Sequence, residues 1–270
     1  MYAHADRSSR SHRLAALVVV VSLAAVWPTS ADAGSAQHKR IAKVRLLYDR
    51  LLGTTPHDII AGTLPVSDVF AESVRGRVTP LGQYDSLEAA REYFYGLLVP
   101  PTVSAAAVEL HSVVASGDRV AVEADVSIDL SGTPVARVVT LRETGFFRFD
   151  ERNRITAFDL AILNAGAALD PRSDAERTLR FKGVCLLAAT NCPGEFDGDT
   201  TDAKAADGVA FMQTKPYGSW NRANSDTVTC REAHSILTSL RPEVRCPHVG
   251  KTGGMVCVDV SYESYFDARY

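Results

Sequence analysis

Residues 229–250 read TCREAHSILTSLRPEVRCPHVG and hold the densest group of reactive side chains in the chain. Cys230 and His234 stand four apart, which is one helical turn, and Cys246 and His248 stand two apart around Pro247. Such a set suits a metal held by thiolate and imidazole, a cysteine nucleophile activated by histidine, or a disulfide with two bystander histidines. A zinc centre needs its ligands in a tetrahedron. Cys246 and His248 point one way only if their segment is a regular strand, and Pro247 works against that. Chain reach favours the disulfide. A helix from Cys230 to Leu240 advances roughly 15 Å at about 1.5 Å per residue. An extended chain from Leu240 to Cys246 returns roughly 20 Å at about 3.3 Å per residue, with Arg241-Pro242 making the reversal. The expected bridge is Cys230–Cys246, with no metal there.

The other candidate chemistry is acid–base. Asp159 lies in RITAFDLAIL between Phe158 and Leu160. Turned inward beside Tyr93, it would be a pocket acid, because burial raises a carboxyl pKa and suits it to proton transfer. However, Phe158, Leu160 and Ile162 are the bulkier alternate set and claim the core, which turns Asp159 to solvent. No residue is therefore assigned as catalytic. Tyr84, Tyr93, Phe94 and Arg142 are the side chains expected to line a pocket. His111 and Glu109 alternate against Val108, Leu110 and Val114, so they belong to a wet face beside the neighbouring strand's carboxylates. The chain has no serine–histidine–acid order, phosphate loop or metalloprotease helix.

Compartment follows from the start of the chain. Arg7, Arg10 and Arg13 precede an apolar run over residues 14–26 and the small-residue triplet Ala31-Asp32-Ala33. This is the pattern of a secretory signal peptide cleaved after Ala33. The run is shorter than the about 20 residues a membrane span needs, so no membrane association is expected after cleavage. A net charge of −3 gives no sign of a nucleic-acid partner. Hydrophobic residues make up 46%, which is enough for a globular core. All 5 cysteines fall after residue 184, which divides an uncrosslinked first unit from a stapled second one.

The elements that must position these groups are legible from periodicity. Ile41, Val44, Tyr48, Leu51 and Leu52 predict a helix over 38–52, and Pro65 starts a short helix to about residue 70. Ser86 opens a third helix that Pro100-Pro101 stops. The period then changes to two. Val120, Val122, Ala124, Val126, Ile128 and Leu130 alternate with polar residues, which is a half-buried strand. Residues 105–115 are its partner, and TPVARVVTLRETGFFRFDE and RITAFDLAIL supply two more strands of an antiparallel meander. After a linker at 165–173, Ser173 caps a helix to 189, a second covers 203–213, and Asp226 caps a third to about 240. Tyr262, Tyr265, Phe266 and Tyr270 form an aromatic tail expected to dock on this second unit.

Helices, then FAESVRGRVTPLGQYDSLEAAREYFYGLL, then long strands resemble the nuclear-transport-factor-two-like fold in its SnoaL-like branch, over residues 38–164. The resemblance implies a cone, with a curved sheet around helices and a pocket inside. It implies either ligand binding or cofactor-independent isomerase, dehydratase or epoxide-hydrolase chemistry. The stretch FMQTKPYGSWNRANSDTVTCREAHSILTSLRPEVRCPHVGKTGGMVCVDVSYESYF is similar to the C-terminal half of a group of secreted fungal proteins, and implies export and disulfides. That pattern has a cysteine before V-A-F and a histidine before C-P-H, where this chain has Gly208 and Arg245. The missing cysteine implies Cys192 as the free thiol and leaves Cys185 to pair with Cys257.

The expected protein is α+β: a signal peptide at 1–33, a cone at 38–164 and a disulfide-stapled helical region at 174–270. It is secreted and either non-catalytic or a binder of a small apolar ligand, without a cofactor. The alternatives are a cofactor-independent lyase or isomerase using Asp159 with Tyr93, and an interaction protein with a collapsed pocket. Asp159→Asn should leave folding and any activity unchanged. A carboxyl signal from Asp159 titrating well above about 3.9 in an NMR pH series would contradict this reading.

Overall fold

The computed structural model describes residues 30–261, 263–264 and 270. The expected signal peptide lies outside these residues except for its last four, which belong to the first helix. No helix among the described residues is long and apolar enough to cross a membrane.

Helix α1 (Ser30–Asp49) buries Val44 and Tyr48, two of the residues whose spacing predicted it, together with Leu47. A short α2 (Thr55–Ile60) follows, with Pro56 in its first turn. The helix expected from Pro65 is absent. A turn covers 67–69, and strand β1 (Phe70–Thr79) begins at Phe70. Val74, Gly76 and Val78 alternate there against Arg75 and Arg77, and this short period-two signal outweighs the proline. Gly76 is needed where β1 lies against β6 (Ile155–Ile162). It pairs with Phe158, and a Cβ at Gly76 would come within 2.5 Å of the Phe158 ring.

The sheet is completed by β2 (Gly82–Tyr84), β3 (Ser104–Ser116), β4 (Arg119–Asp129) and β5 (Val138–Phe149), in the order β2-β1-β6-β5-β4-β3. β3 to β6 form the expected antiparallel meander, but β1 joins β6 in parallel. Helix α3 (Leu87–Phe94) is capped by Ser86, whose hydroxyl accepts from the Ala89 amide. α1 and α3 pack on the concave face against Val120, Val122 and Ala124 of β4, Phe147 and Phe149 of β5, and Phe158 and Leu160 of β6. This is an α+β cone.

Residues 165–173, read as a linker, hold a short helix α4 (Ala165–Leu169). Beyond it come α5 (Asp174–Asn191), α6 (Thr201–Gln213), α7 (Val228–Ser235) and α8 (Pro242–Val249). Ser173 caps α5 as predicted, accepting from the Glu176 amide. The cap of α7 is Thr227, not Asp226. Thr227 accepts from the Cys230 amide, while Asp226 pairs with Lys215 and Arg231. Of the aromatic tail only Tyr270 is described. It meets Arg77 on the cone, with the guanidinium 6.0 Å from its ring centre, and so does not dock on the helical region.

The disulfide expectations are corrected. Cys192 bonds to Cys246 and Cys230 to Cys257, with Cα separations of 5.3 and 5.6 Å, so neither Cys230–Cys246 nor Cys185–Cys257 forms. The reason is α8. Residues 242–249 are helical, not extended, and a helix returns about 1.5 Å per residue where the reach argument assumed about 3.3 Å. Cys246 therefore faces the end of α5, which Cys192 caps, and the chain after α8 brings Cys257 to Cys230.

The free thiol is Cys185, not Cys192. Cys185 is fully buried, and burial pushes its thiol up to about 12, so it is inert in the fold. Its neighbour is Gly208, the position where the resembling pattern has cysteine. A Cβ at Gly208 would lie 3.3 Å from both Cβ and Sγ of Cys185. Gly208→Cys should therefore close a third bridge to Cys185, seen by non-reducing peptide mapping. Closing that loop should add about 3 kcal/mol in urea unfolding.

Candidate functional site

Strand β5 alternates, so Val139, Glu143, Phe147 and Phe149 face the concave side and are buried, while Val138, Thr140, Arg142 and Phe146 are exposed. One of the inward positions is a carboxyl. Glu143 is 6% exposed and stands between Ala124 on β4 and Ile162 on β6. Tyr48 of α1 donates its hydroxyl to Glu143 Oε2 at 2.5 Å, and Tyr93 of α3 donates to Oε1 at 2.9 Å. Among the described residues no lysine, arginine or histidine forms an ion pair with it. Burial raises the Glu143 pKa above its ordinary value, and the two hydroxyl bonds oppose that only in part. Burial, reinforced by the Glu143 charge, pushes both tyrosines well above 10, so they remain proton donors.

Aromatic rings surround the carboxyl. Phe94 lies 5.6 Å from Phe70, 5.3 Å from Phe158 and 6.4 Å from Phe147, measured between ring centres, and Tyr84 lies 5.0 Å from Tyr93. Tyr84 and Tyr93 are half-buried, whereas Tyr48 and Phe94 are buried. Tyr84 and Tyr93 are thus the more exposed rings of this cluster, while Glu143 itself is buried. The arrangement offers a carboxyl able to exchange a proton, held by two tyrosine hydroxyls within apolar walls.

The sequence-predicted residues divide between the two faces of the sheet. Tyr84, Tyr93 and Phe94 lie in the aromatic interior. Arg142 does not, since it is on the outer face beside Glu143 in sequence. Both its Nε and Nη2 donate to Asp125 at 2.9 Å, and His111 Nε2 meets the same carboxylate at 3.1 Å. The hydrogen bond from Arg142, then that from His111, holds Asp125 far below the usual carboxylate range. Asp159 also lies outside, where Arg77 grips it through two bonds of 2.7 and 2.8 Å. The carboxyl of the cone is therefore Glu143. The missed signal was parity: Val139, Leu141, Phe147 and Phe149 share its face in the sequence.

The cysteine-rich region meets the cone on α3. Glu92, the residue before Tyr93, is buried and forms ion pairs with Arg241 at 3.1 Å and with Arg245. Gly96 lies under Leu237 and Leu240, where a Cβ would be 3.2 Å from Leu240. The Ala223 amide donates to Pro80 at 3.2 Å. Two adjacent residues of α3 thus serve two units, Glu92 outside the cone and Tyr93 inside it.

Comparison with known proteins finds similarity in both parts of the chain. A SnoaL-like domain at residues 63–158 is followed by a BfoA family C-terminal domain at residues 164–260. The chain is 25% identical over 217 residues to aurasperone B biosynthesis cluster protein A of Aspergillus niger, covering 72% of this chain and 69% of that one. It is 26% identical over 217 residues to bifonsecin B biosynthesis cluster protein A of Aspergillus brasiliensis, covering 72% and 71%. Among solved structures, an LEH-like epoxide hydrolase of M. tuberculosis aligns at 15% identity over 47% of this chain and 79% of that chain, with a TM-score of 0.37.

Glu143 should make stability depend on pH. Its folded pKa lies above the ordinary 4.5, so the fold favours the neutral carboxyl. That stabilisation is complete below the unfolded pKa and is lost as pH rises through the raised folded value. The thermal midpoint of the wild type should therefore fall relative to Glu143→Gln as pH rises from about 4 to about 8. Glu143→Ala should cost more than Glu143→Gln in urea melts, by about 1–3 kcal/mol, because it orphans the buried Tyr48 hydroxyl.

Proposed function

We propose that the cone is an acid–base site of the cofactor-independent isomerase or cyclase kind, with Glu143 as the group that moves the proton. The observation that carries this reading is a carboxyl buried among aromatic rings, unpaired with any cation among the described residues and held by two tyrosine hydroxyls. A buried structural carboxylate usually has a cationic partner, while a carboxyl kept near neutrality in an apolar site suits proton transfer.

The walls select a mostly apolar, aromatic substrate, and the chemistry selects a carbon acid next to a carbonyl. The ionised form of Glu143 takes the proton from carbon; as its charge is lost, the Tyr93 hydroxyl turns from Glu143 to donate to the enolate oxygen, while Tyr48 stays on the carboxyl. The carboxyl then returns the proton to another position. Entry requires the half-buried Tyr84 and Tyr93 to move aside. The relatives' names refer to biosynthesis clusters, and we take this chain to act on a compound made by such a cluster. We also propose that the protein is exported. The two disulfides are compatible with an oxidising compartment.

One observation favours a second reading, a binder without chemistry: the tyrosines occupy both Glu143 oxygens and rings fill the interior. Deuterium exchange at the carbon next to the carbonyl of 1-tetralone in D₂O separates the two. The acid–base reading expects wild type to accelerate exchange and Glu143→Gln to lose about 100-fold or more of that acceleration. Saturable binding of 1-tetralone without exchange would establish the binder instead.

A further inference from the structure

The histidines of the opening stretch remain after the disulfides are assigned. His234 sits one turn beyond Cys230 on α7, and its ring nitrogen lies within 4.8 Å of the sulfurs of both Cys230 and Cys257. His248, in the last turn of α8, brings its Nδ1 to 3.3 Å from Nδ1 of His234. Two nitrogens bound to one tetrahedral zinc at about 2.0–2.1 Å stand about 3.3 Å apart. The two sulfurs and the His234 imidazole therefore converge in one place, and His248 stands beside His234 at the edge of that group. The turn that follows α8 is built close against His248. Gly254 has φ +54, and a Cβ on it would lie 2.7 Å from His248 Cδ2.

We propose that Cys230, His234 and Cys257, with the adjacent His248 turning in as the fourth ligand, form a tetrahedral site for a divalent ion of the zinc class when the Cys230–Cys257 bond is reduced. Disulfide and metal are alternative staples at one place. Two electrons and two protons from a dithiol reductant open the bond to two thiols, and the dithiol becomes a cyclic disulfide. The incoming ion displaces the two thiol protons and is held by two thiolates and two neutral imidazoles.

The surroundings suit this. The charged groups facing the cluster are Arg245 and Arg231. Arg245 Nη1 is 3.2 Å from His234 Nδ1 and is also paired with Glu92, so it has a carboxylate to retain when the metal takes that nitrogen. Arg231 is fully buried, pairs with Asp226 at 2.8 Å, and reaches the Gly253 turn. Both cations lie where thiolate charge would develop.

The test uses the full chain, reduced with a dithiol, freed of reductant under argon and titrated with Co²⁺. The expected result is a thiolate-to-cobalt charge-transfer band with tetrahedral d–d bands, saturating at one equivalent and reversed by Zn²⁺. The oxidised chain should show neither band. Joint replacement Cys192→Ser and Cys246→Ser should leave the spectrum intact. Joint replacement His234→Ala and His248→Ala should still form the Cys230–Cys257 bridge but bind Co²⁺ about 100-fold or more weakly. If the reduced chain is unfolded without metal, one equivalent must restore the native circular dichroism. A reduced chain that binds no stoichiometric Co²⁺, folded or not, overturns the proposal, as does an unchanged spectrum in the double histidine variant.

Discussion

Along β4, β5 and β6 successive side chains point to opposite faces, and this alternation fixes what the cone can contain. It sends Arg142 outward to Asp125 and its neighbour Glu143 inward to Tyr48 and Tyr93. It sends Asp159 outward to Arg77 and its neighbours Phe158 and Leu160 into the core. A slip of one residue in β5 would bury a guanidinium and expose the phenylalanines. Polar chemistry on the two faces therefore differs in kind. Outside, carboxylates are paired with arginines in water and their mutual attraction is weak. Inside, a single carboxyl relies on neutral hydroxyls, and its charge is costly.

Helix α3 joins the two halves of the molecule through neighbouring residues. Glu92 is buried against Arg241 and Arg245 of the second unit, while Tyr93 reaches Glu143. Removing one member of a buried ion pair strands the other and costs about 3–5 kcal/mol. A shift of α3 that loosened Glu92 would also move the Tyr93 hydroxyl. The packing of the cysteine-rich region and the geometry of the acid in the cone are thus mechanically connected through one short helix.

The second unit has few large apolar side chains buried at its centre. Val184, Phe196, Met212, Val228 and Val249 form its main cluster, with the crosslinks close by. Small cores of this kind need staples. Cys192–Cys246 ties the end of α5 to α8, and Cys230–Cys257 ties α7 to the chain beyond α8. Cys185 and Gly208 show what a third staple would require, since the backbone already brings the two positions together.

Local pattern was enough for much of this protein. Period two gave β3 to β6, period 3.6 gave α1 and α3, the capping serine gave α5, and the grouping of cysteines gave a stapled second unit. The same alternation already placed Glu143 with Val139, Phe147 and Phe149, so the buried acid was readable in principle from the strand that holds it. Contacts between distant segments were not readable. Whether β1 ran parallel to β6 depended on Gly76 meeting Phe158, and the partner of each cysteine depended on α8 being a helix. That Tyr48, Tyr93 and Glu143 meet depended on two helices and a strand converging in space. Alternation fixes the direction of a side chain within its own element. Its partner is decided by packing between elements far apart in the chain, which only the folded molecule specifies.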